Sequence, residues 1–389
     1  MSINEENNNF SGYGADNSKN MVSTEKQKTA SNDDLDDYVF QKPVHHRHHG
    51  KEKMKRWKKA LIIILISLIV ILVALISMFF IFSNIGRSQL LSDRDDTVLM
   101  TPDGVESRDN GKYVVYNGKK YEYNENITSV LFMGVDKENL ETNTDDFGKN
   151  GDADVLLLFT FDTVSGKTNL VSISRDTMSD VDVFSTEGNY VGTKIQQICL
   201  AYSYGDGRET SCENQVDAVR KLFYNVPINS YFALDLSAIN VLNDTVGGVT
   251  VEALETFGPF VEGETVTLHG TDAEKYVRTR NTKILESNNM RMERQKQYIR
   301  GFFDRVVYET KQNIMTPVDL FNEASPYMVT NIGVPKVTYL AENVLNKNFS
   351  ELNMQNVPGE VKQGDFYAEY YVDEDSFYEM FLNIYYTPV

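Results

Sequence analysis

The sequence predicts an α/β protein in which helices cover both faces of a sheet, an α/β sandwich, preceded by one transmembrane helix. Short and nearly unbroken apolar runs, such as "ITSVLFMGVD", "ADVLLLFTFD" and "TNLVSISRD", are typical of strands covered on both faces. Helical patterns and further strand candidates alternate after these runs, which is the pattern of an α/β sandwich. A 23-residue apolar stretch lies upstream of all of them.

The elements follow in order along the chain. The segment "YVVYNGKKYEY" alternates around Asn117-Gly118, which predicts a hairpin over residues 113–123. Further strands are predicted in "SYFALDL" and "GGVTVEAL". Helices are predicted in "ENQVDAVRKLFYNV", "SAINVLNDTV", "TDAEKYVR" and "NNMRMERQKQYIRGFFDRVVYE". Residues 316–389 add two predicted helices and a tyrosine-rich tail.

Residues 60–82 form the predicted membrane span. At 1.5 Å per residue they cover roughly 35 Å as a helix, enough to cross a bilayer. Six basic residues and Trp57 lie in "KEKMKRWKK" just before the span, so the positive-inside rule places the amino terminus in the cytoplasm and the rest outside. We therefore predict a disordered cytoplasmic tail (1–59), the span (60–82) and an extracellular stalk with the hairpin (83–126).

The charge distribution excludes general nucleic-acid binding. Residues 83–389 hold 27 basic and 47 acidic side chains, whereas a phosphate backbone requires a broad cationic surface. This part of the chain also has a single histidine, His269, and lacks G-x-S-x-G and P-loop motifs, which argues against histidine-based nucleophilic catalysis and a histidine-rich zinc site. Cys199 and Cys212 either form a disulfide, which an oxidising compartment would permit, or remain two buried thiols.

Acidic residues follow or begin the predicted strands. Asp136 and Asp154 flank the first two strands, and Arg175 with Asp176 closes the third. Ligands of α/β proteins bind at such strand ends, and Mg²⁺ accepts a few carboxylates while water and phosphate complete its shell. Each acid taken alone is equally consistent with a turn or cap residue, which is how we interpret Asp152 and Asp162.

The stretch "KYVRTRNTKILESNNMRMERQ" (275–295) concentrates cations in an acidic chain. Arg278 and Arg280 share a face on extended backbone, and Arg291, Arg294 and Gln295 share a face on a helix. Converging guanidinium groups match phosphate oxygens. By composition alone, a solvated helix face shared with Glu293 and Lys296 is the favoured interpretation of this stretch.

The runs "VLFMGVD", "DADVLLLFTFD", "LVSISRDTM", "GGVTV" and "YVRTR…RMERQ" occur in an order that resembles the extracellular domain of the LytR-CpsA-Psr family, in the variant common in clostridial bacteria. The resemblance implies a three-layer α-β-α sandwich with a mixed central sheet. It would form a catalytic domain over residues 127–310, followed by an extension over 311–389. A lipid chain would lie between the sheet and the helices.

The resemblance also implies an activity: transfer of a glycan phosphate from a polyprenyl-pyrophosphate donor to peptidoglycan, with Mg²⁺ or Mn²⁺. Asp136 and Asp154 match the family's metal-site and catalytic acids, and Arg175 matches its catalytic arginine. The predicted pyrophosphate-binding residues are Arg175, Lys194, Arg278, Arg280, Arg291, Arg294 and Gln295. Two positions depart from the family pattern, since Asp152 replaces an arginine and Asn288 replaces an acid.

Two other functions fit the same residues. A pyrophosphatase would use water in place of the sugar hydroxyl as the acceptor. A non-catalytic membrane regulator would sense lipid-linked precursors through the same anion site.

Overall fold

The computed structural model describes residues 50–91, 97–137, 140, 151–279, 287–346, 352–365 and 367–389. Most of the predicted tail (1–59) lies outside these residues. The helices are α1 (Gly50–Leu91), α2 (Leu200–Ser203), α3 (Glu209–Leu222), α4 (Leu236–Thr245), α5 (Thr271–Arg278), α6 (Ser287–Gln312), α7 (Thr316–Ala324), α8 (Val334–Asn346) and α9 (Glu374–Tyr385).

The strands are β1 (Glu106–Arg108), β2 (Tyr113–Tyr116), β3 (Lys119–Tyr123), β4 (Ile127–Val135), β5 (Ala153–Asp162), β6 (Thr168–Ile173), β7 (Met178–Phe184), β8 (Tyr190–Gln197), β9 (Ser230–Asp235), β10 (Val249–Glu252), β11 (Thr265–Leu268), β12 (Met328–Thr330), β13 (Asn353–Asn356), β14 (Gly359–Gln363), β15 (Ala368–Val372) and β16 (Tyr386–Pro388).

The apolar stretch at residues 60–82 belongs to the single long helix α1. Within the described residues, α1 is the one helix long and apolar enough to cross a membrane. Its last turns pack against the rest of the chain: Leu90 is buried, and its carbonyl accepts a hydrogen bond of 3.2 Å from the Thr128 hydroxyl. The backbone at Gly86 lies so close to the Pro335 carbonyl that a Cβ atom would not fit.

The central sheet has six strands in the order β12-β9-β4-β5-β6-β13. Its pairing is mixed, because β4 runs parallel to β9 and β13 parallel to β6, whereas the β4–β5, β5–β6 and β9–β12 pairs are antiparallel. Helices α3 and α9 cover one face, and α6, α7 and α8 lie on the other. The predicted three-layer sandwich with a mixed sheet is therefore confirmed.

Both segments that flank residues 127–310 join the same core. The hairpin predicted around Asn117-Gly118 is confirmed as β2 and β3, with both turn residues at positive φ (48° and 72°), as a type I′ turn requires. The last strand, β16, pairs with β3, and β12 and β13 are the two outermost strands of the central sheet. The boundaries predicted at residues 127 and 310 therefore do not separate independently packed units.

Three two-stranded sheets lie outside the central sheet in the described part of the chain, and one of them is formed by β14 and β15. The predicted strand "GGVTVEAL" forms β10, which pairs with β11 in a sheet of two strands. A second hairpin, formed by β7 and β8, is not predicted by the sequence pattern. It follows Arg175 directly and stands next to the edge where the predicted site residues meet.

Candidate active site

Three strands carry predicted site residues to one edge of the sheet. Asp136 follows the end of β4, and Arg175 follows the end of β6. Because β5 runs antiparallel to both, Asp154 at its beginning lies at the same edge. The alternation of strand direction explains how residues 18 to 39 positions apart in the chain converge.

Arg175 lies at the centre of a carboxylate cluster. Its guanidinium donates to the Asp154 carboxylate and, over 3.3 Å, to Asp152, while its Nε atom lies 3.7 Å from Asp176. The side chains of Arg175 and Asp154 retain only 23% and 21% of their exposure. Asp152 had been interpreted as a turn residue, and the structure instead makes it a partner of Arg175. Sequence reasoning could have found this pairing only from the β5–β6 register.

The pKa of Asp154 is raised above its ordinary value. Burial is the largest cause, and the charges of Asp136 and Asp152 add to it, while Arg175 and Arg291 act in the opposite direction. Desolvation thus outweighs the ion pair with Arg175. Asp136 and Arg291 therefore lie close enough to Asp154 to change its pKa.

Arg278 closes the other side of the edge. It is the last residue of α5, and it donates over 2.9 Å to Asp136 and over 3.2 Å to Glu274, one turn back on its own helix. Half of its side chain is exposed, as is half of Asp136, so this pair forms the open rim of the site. Arg291, near the beginning of α6, is buried. Arg280 lies outside the described residues.

Arg294 and Gln295 both bond the carbonyls at the end of α5, and Gln295 in addition lines the cleft described below. Arg294 is 1% exposed, donates to the carbonyls of Tyr276 and Thr279, and forms a 3.0 Å ion pair with Glu255. Gln295 donates over 3.1 Å to the carbonyl of Val277. The prediction that Arg294 binds pyrophosphate therefore needs correction, because its donors satisfy the carbonyls at the end of α5.

Lys194 is also placed differently from the prediction. It is exposed on β8, three residues before Gln197, whose side chain contacts Asp176. Side chains an odd number of residues apart point to opposite faces of a strand. Lys194 therefore belongs to the face of the hairpin that turns away from Asp176.

Cys199 and Cys212 are free and buried, so of the two alternatives left open by the sequence the structure has the two buried thiols. Cys199 lies on the backbone loop behind Arg175, whose carbonyl accepts a 3.3 Å bond from the Cys199 amide. Burial raises the pKa of Cys199 to about 12 and raises that of Cys212 as well. Both thiols are consequently protonated at neutral pH, which excludes a thiolate nucleophile.

A narrow cleft runs between the sheet and α6. Its lining combines apolar side chains with a few polar ones: Leu157, Leu170, Ser172, Met292, Gln295, Lys296, Ile299, Met354 and Gln355. The strands that line it are β5, β6 and β13, and two of them begin or end at the site edge. The cleft thus lies along the sheet face that leads to Asp154 and Arg175.

The fold and site define a class: an α/β domain carried on one apolar helix, with arginines and carboxylates converging at the end of its sheet. The LytR_cpsA_psr family model matches residues 101–384, most of the chain, and the chain belongs to this family. The resemblance in the sequence motifs is thereby confirmed.

Curated relatives carry the name polyisoprenyl-teichoic acid–peptidoglycan teichoic acid transferase. TagU of Bacillus subtilis is 30% identical over 181 residues, which cover 46% of this chain and 51% of TagU. TagU of Enterococcus faecalis is 28% identical over 227 residues, which cover 56% of this chain and 68% of that protein. The chain spans about half the length of the curated B. subtilis relatives it matches.

Solved structures share the fold. Protein gbs0355 of Streptococcus agalactiae has a TM-score of 0.55 at 20% identity, covering 66% of this chain and 86% of that one. TagV of B. subtilis has a TM-score of 0.51 at 20% identity, covering 66% and 96% of the two chains. At this identity the likeness concerns the fold alone.

Proposed function

We propose that this protein is a membrane-anchored transferase that moves a glycan phosphate from a polyprenyl-pyrophosphate carrier to peptidoglycan. The observation that carries the proposal is the sheet edge itself, where Asp136 and Asp154 alternate with Arg175 and Arg278. The names of the curated relatives support the same donor and acceptor classes. The six basic residues before the apolar stretch support a cytoplasmic amino terminus and an external domain.

The arginines suit a pyrophosphate diester. Their planar forks pair with phosphate oxygens and keep their charge at any physiological pH. Arg278 is half exposed on the rim, so an arriving phosphate can take over its donors from Asp136. Arg175 and Arg291, both more buried, would stabilise the charge that develops on the leaving phosphate, where electrostatic interactions are strong.

Asp136 and Asp154 fit a divalent cation such as Mg²⁺ or Mn²⁺. The described residues contain no group of three or more His, Cys, Asp or Glu side chains in metal-binding geometry. Mg²⁺ does not require one, because it binds through one or two carboxylates plus substrate phosphates. Burial is the main reason that the pKa of Asp154 is raised, and the charge of Asp136 adds to it; a cation held by Asp136 would offset only this second contribution. When bound, it would neutralise pyrophosphate charge.

A carboxylate must also accept the proton of the sugar hydroxyl. Asp136 and Asp154 are both candidates from their position. The raised pKa of Asp154 favours it as the base, because a carboxylate with a pKa nearer the working pH removes a proton more effectively. Asp136 would then serve mainly the cation and Arg278.

The polyprenyl chain has a natural place on the sheet face covered by α6, α7 and α8. The opposite face is fully buried, for example at Leu131, Leu156 and Leu158. On the face toward α6, the alternating residues Leu157 and Phe159 remain partly exposed. An incompletely covered apolar face beside an anion site suits a ligand with a hydrocarbon tail and a charged head.

The test uses purified full-length protein in proteoliposomes, with the external domain shown to face outward by protease access. Polyprenyl-pyrophosphate glycan and peptidoglycan are supplied, and the products are separated. We expect the wild-type protein to place glycan phosphate on the peptidoglycan. In Arg278→Ala the rate of transfer should fall at least about 100-fold, which corresponds to roughly 2.7 kcal/mol. Arg108→Ala, at an exposed arginine on β1, should transfer at the unchanged rate.

The same assay separates the competing functions. Release of free glycan phosphate without transfer would indicate a pyrophosphatase, and binding without any turnover would indicate a sensor. Activity that survives chelation, or an Asp136→Asn protein with an unchanged requirement for Mg²⁺, would remove the metal from the proposal. Full activity of Arg278→Ala would contradict the assignment of the site.

A further inference from the structure

The β7–β8 hairpin presents one face that continues from the site edge. Cross-strand partners share a face, and the register places Asp180 opposite Ile195 and Asp182 opposite Thr193. Gln197, two residues beyond Ile195 on this face, donates over 3.0 Å to the Asp176 carboxylate. Because Asp176 lies next to Arg175, the face begins at the reactive carboxylates and arginines.

This face combines exposed apolar side chains with fixed polar groups. Ile195 is 71% exposed and Tyr190 is 60% exposed. Between them, the Thr193 hydroxyl donates over 2.6 Å to Asp182 and is hydrogen bonded to the Tyr190 hydroxyl at 2.9 Å. Large apolar groups left in water on a well-formed hairpin indicate a binding surface.

The polar groups on this face are held in place. Lys221 on α3 binds Asp182 at 2.6 Å, and the Tyr190 ring packs edge-on against Phe184 with centroids 5.9 Å apart. Gln197 is fixed at the other end by its second hydrogen bond, 2.9 Å to the Ala368 carbonyl on β15. A ligand would therefore meet a preorganised surface rather than one that must be ordered on binding.

The charge of the face selects between the two substrates. Asp180 lies on it, and Asp182 lies there with its charge balanced by Lys221, while Lys194 points to the opposite side of the hairpin. The Asp180 carboxylate disfavours an anionic glycan-phosphate donor. A neutral glycan would not, because its hydroxyl and amide groups can bond carboxylates and its pyranose C–H faces can contact Ile195 and Tyr190. The length from Gln197 to Tyr190, about 23 Å of strand, accommodates several sugar rings.

We propose that the face formed by Asp180, Asp182, Tyr190, Thr193 and Ile195 binds the acceptor, an uncharged N-acetylated glycan strand of peptidoglycan. This inference rests on the proposed function for the identity of the acceptor. The face holds the strand so that one sugar hydroxyl reaches the carboxylates at the sheet edge. The donor phosphate and its lipid occupy the arginine side and the cleft.

The test measures binding and transfer separately, with full-length protein in detergent or proteoliposomes. Oligomers of N-acetylglucosamine, which carry the N-acetyl groups and pyranose rings without any charge, are the binding probe, and peptidoglycan stripped of teichoic acid is the acceptor in transfer. We expect Ile195→Glu and Tyr190→Ala to weaken glycan binding and to raise the KM for acceptor about tenfold or more, with the KM for donor unchanged. Val164→Glu is the matched control, because Val164 is 65% exposed at the β5–β6 turn, at the opposite end of the strands.

The outcomes distinguish this inference from the proposed function. Glycan binding that is unaffected by both hairpin substitutions, or that Val164→Glu weakens as much, overturns the acceptor site whether or not the protein transfers. Glycan binding that depends on Ile195 and Tyr190 in a protein without transfer supports the site and contradicts the proposed transferase alone.

Discussion

At the residue scale, the site is a balance between burial and paired charges. Arg175 has three carboxylates around it, so its charge is more than compensated. Asp154 nevertheless keeps a raised pKa, because burial outweighs the attraction of Arg175. A raised pKa is typical of a carboxylate that acts as a catalytic base, whereas an ordinary ion pair lowers the pKa of its carboxylate. This is the electrostatic environment that the proposed catalytic base would need.

Substitutions around Asp154 are expected to move its pKa in opposite directions. Arg175→Gln removes a cation that lowers the pKa, so the acid limb of the kcat/KM profile should move to higher pH. Asp152→Asn removes an anion that raises it, so the limb should move to lower pH. Carbon NMR of a labelled Asp154 carboxylate measures the same pKa shifts and does not require an active protein. Shifts of the same sign would contradict the electrostatic account.

At the scale of elements, contacts of α6 side chains with the end of α5 position Arg278. The final carbonyls of a helix lack intrahelical partners, and α6 side chains supply donors for those of Tyr276, Val277 and Thr279. The Arg294 guanidinium also lies 4.2 Å from the centre of the Phe257 ring. This cap fixes the end of α5, and with it Arg278, which reaches Asp136.

We expect Arg294→Met to lower the free energy of unfolding by roughly 2 to 4 kcal/mol, because it leaves two carbonyls and the Glu255 carboxylate without a donor. Arg300→Met is the matched control on α6: Arg300 is exposed and makes one bond, to the Leu352 carbonyl, so a loss of about 0.5 kcal/mol is expected. Denaturant unfolding of the detergent-solubilised chain measures both. Equal losses would show that Arg294 has no special structural role.

The elements also show what the sequence could and could not predict. Apolar runs identified β4, β5 and β6 because burial on both faces leaves little choice of side chain. The β7–β8 hairpin was not predicted because β8 mixes glycine, threonine, lysine and glutamine with few apolar residues, and because its turn contains no Asn-Gly or Asp-Gly pair. Spacing on α6 could not separate Arg291 from Arg294. They differ by about 60° around the helix, and only the position of α5 decides which faces the edge.

At the scale of the whole molecule, the two faces of the central sheet differ in how completely they are buried. The face toward α3 and α9 is closed, with Val219 and Phe381 packed on Leu131 and its neighbours in one core. The face toward α6, α7 and α8 has a smaller core around Val130 and Val337, with its phenylalanines only partly covered. Stability thus comes mainly from one side, which leaves the other available for an apolar ligand.

A larger side chain in the cleft tests whether the sheet face toward α6 binds the proposed lipid chain. Ser172 on β6 lines the cleft, and the larger side chain of Ser172→Leu should occupy space that the proposed polyprenyl chain would fill. We expect the KM for a long-chain polyprenyl donor to rise roughly tenfold, equivalent to about 1.4 kcal/mol, while a donor with a very short chain is used as before. Thermal stability should stay the same or increase, because leucine buries more apolar area.

The comparison of long-chain with short-chain donors shows whether the substitution acts on the lipid chain. Thr265→Leu, an exposed position on β11, controls for adding a leucine to a strand elsewhere. If Ser172→Leu slows long-chain and short-chain donors equally, the substitution has disturbed the edge at Arg175 rather than the lipid path. If neither donor is affected, the hydrocarbon does not lie between β6 and α6, and the partly covered phenylalanines require another explanation.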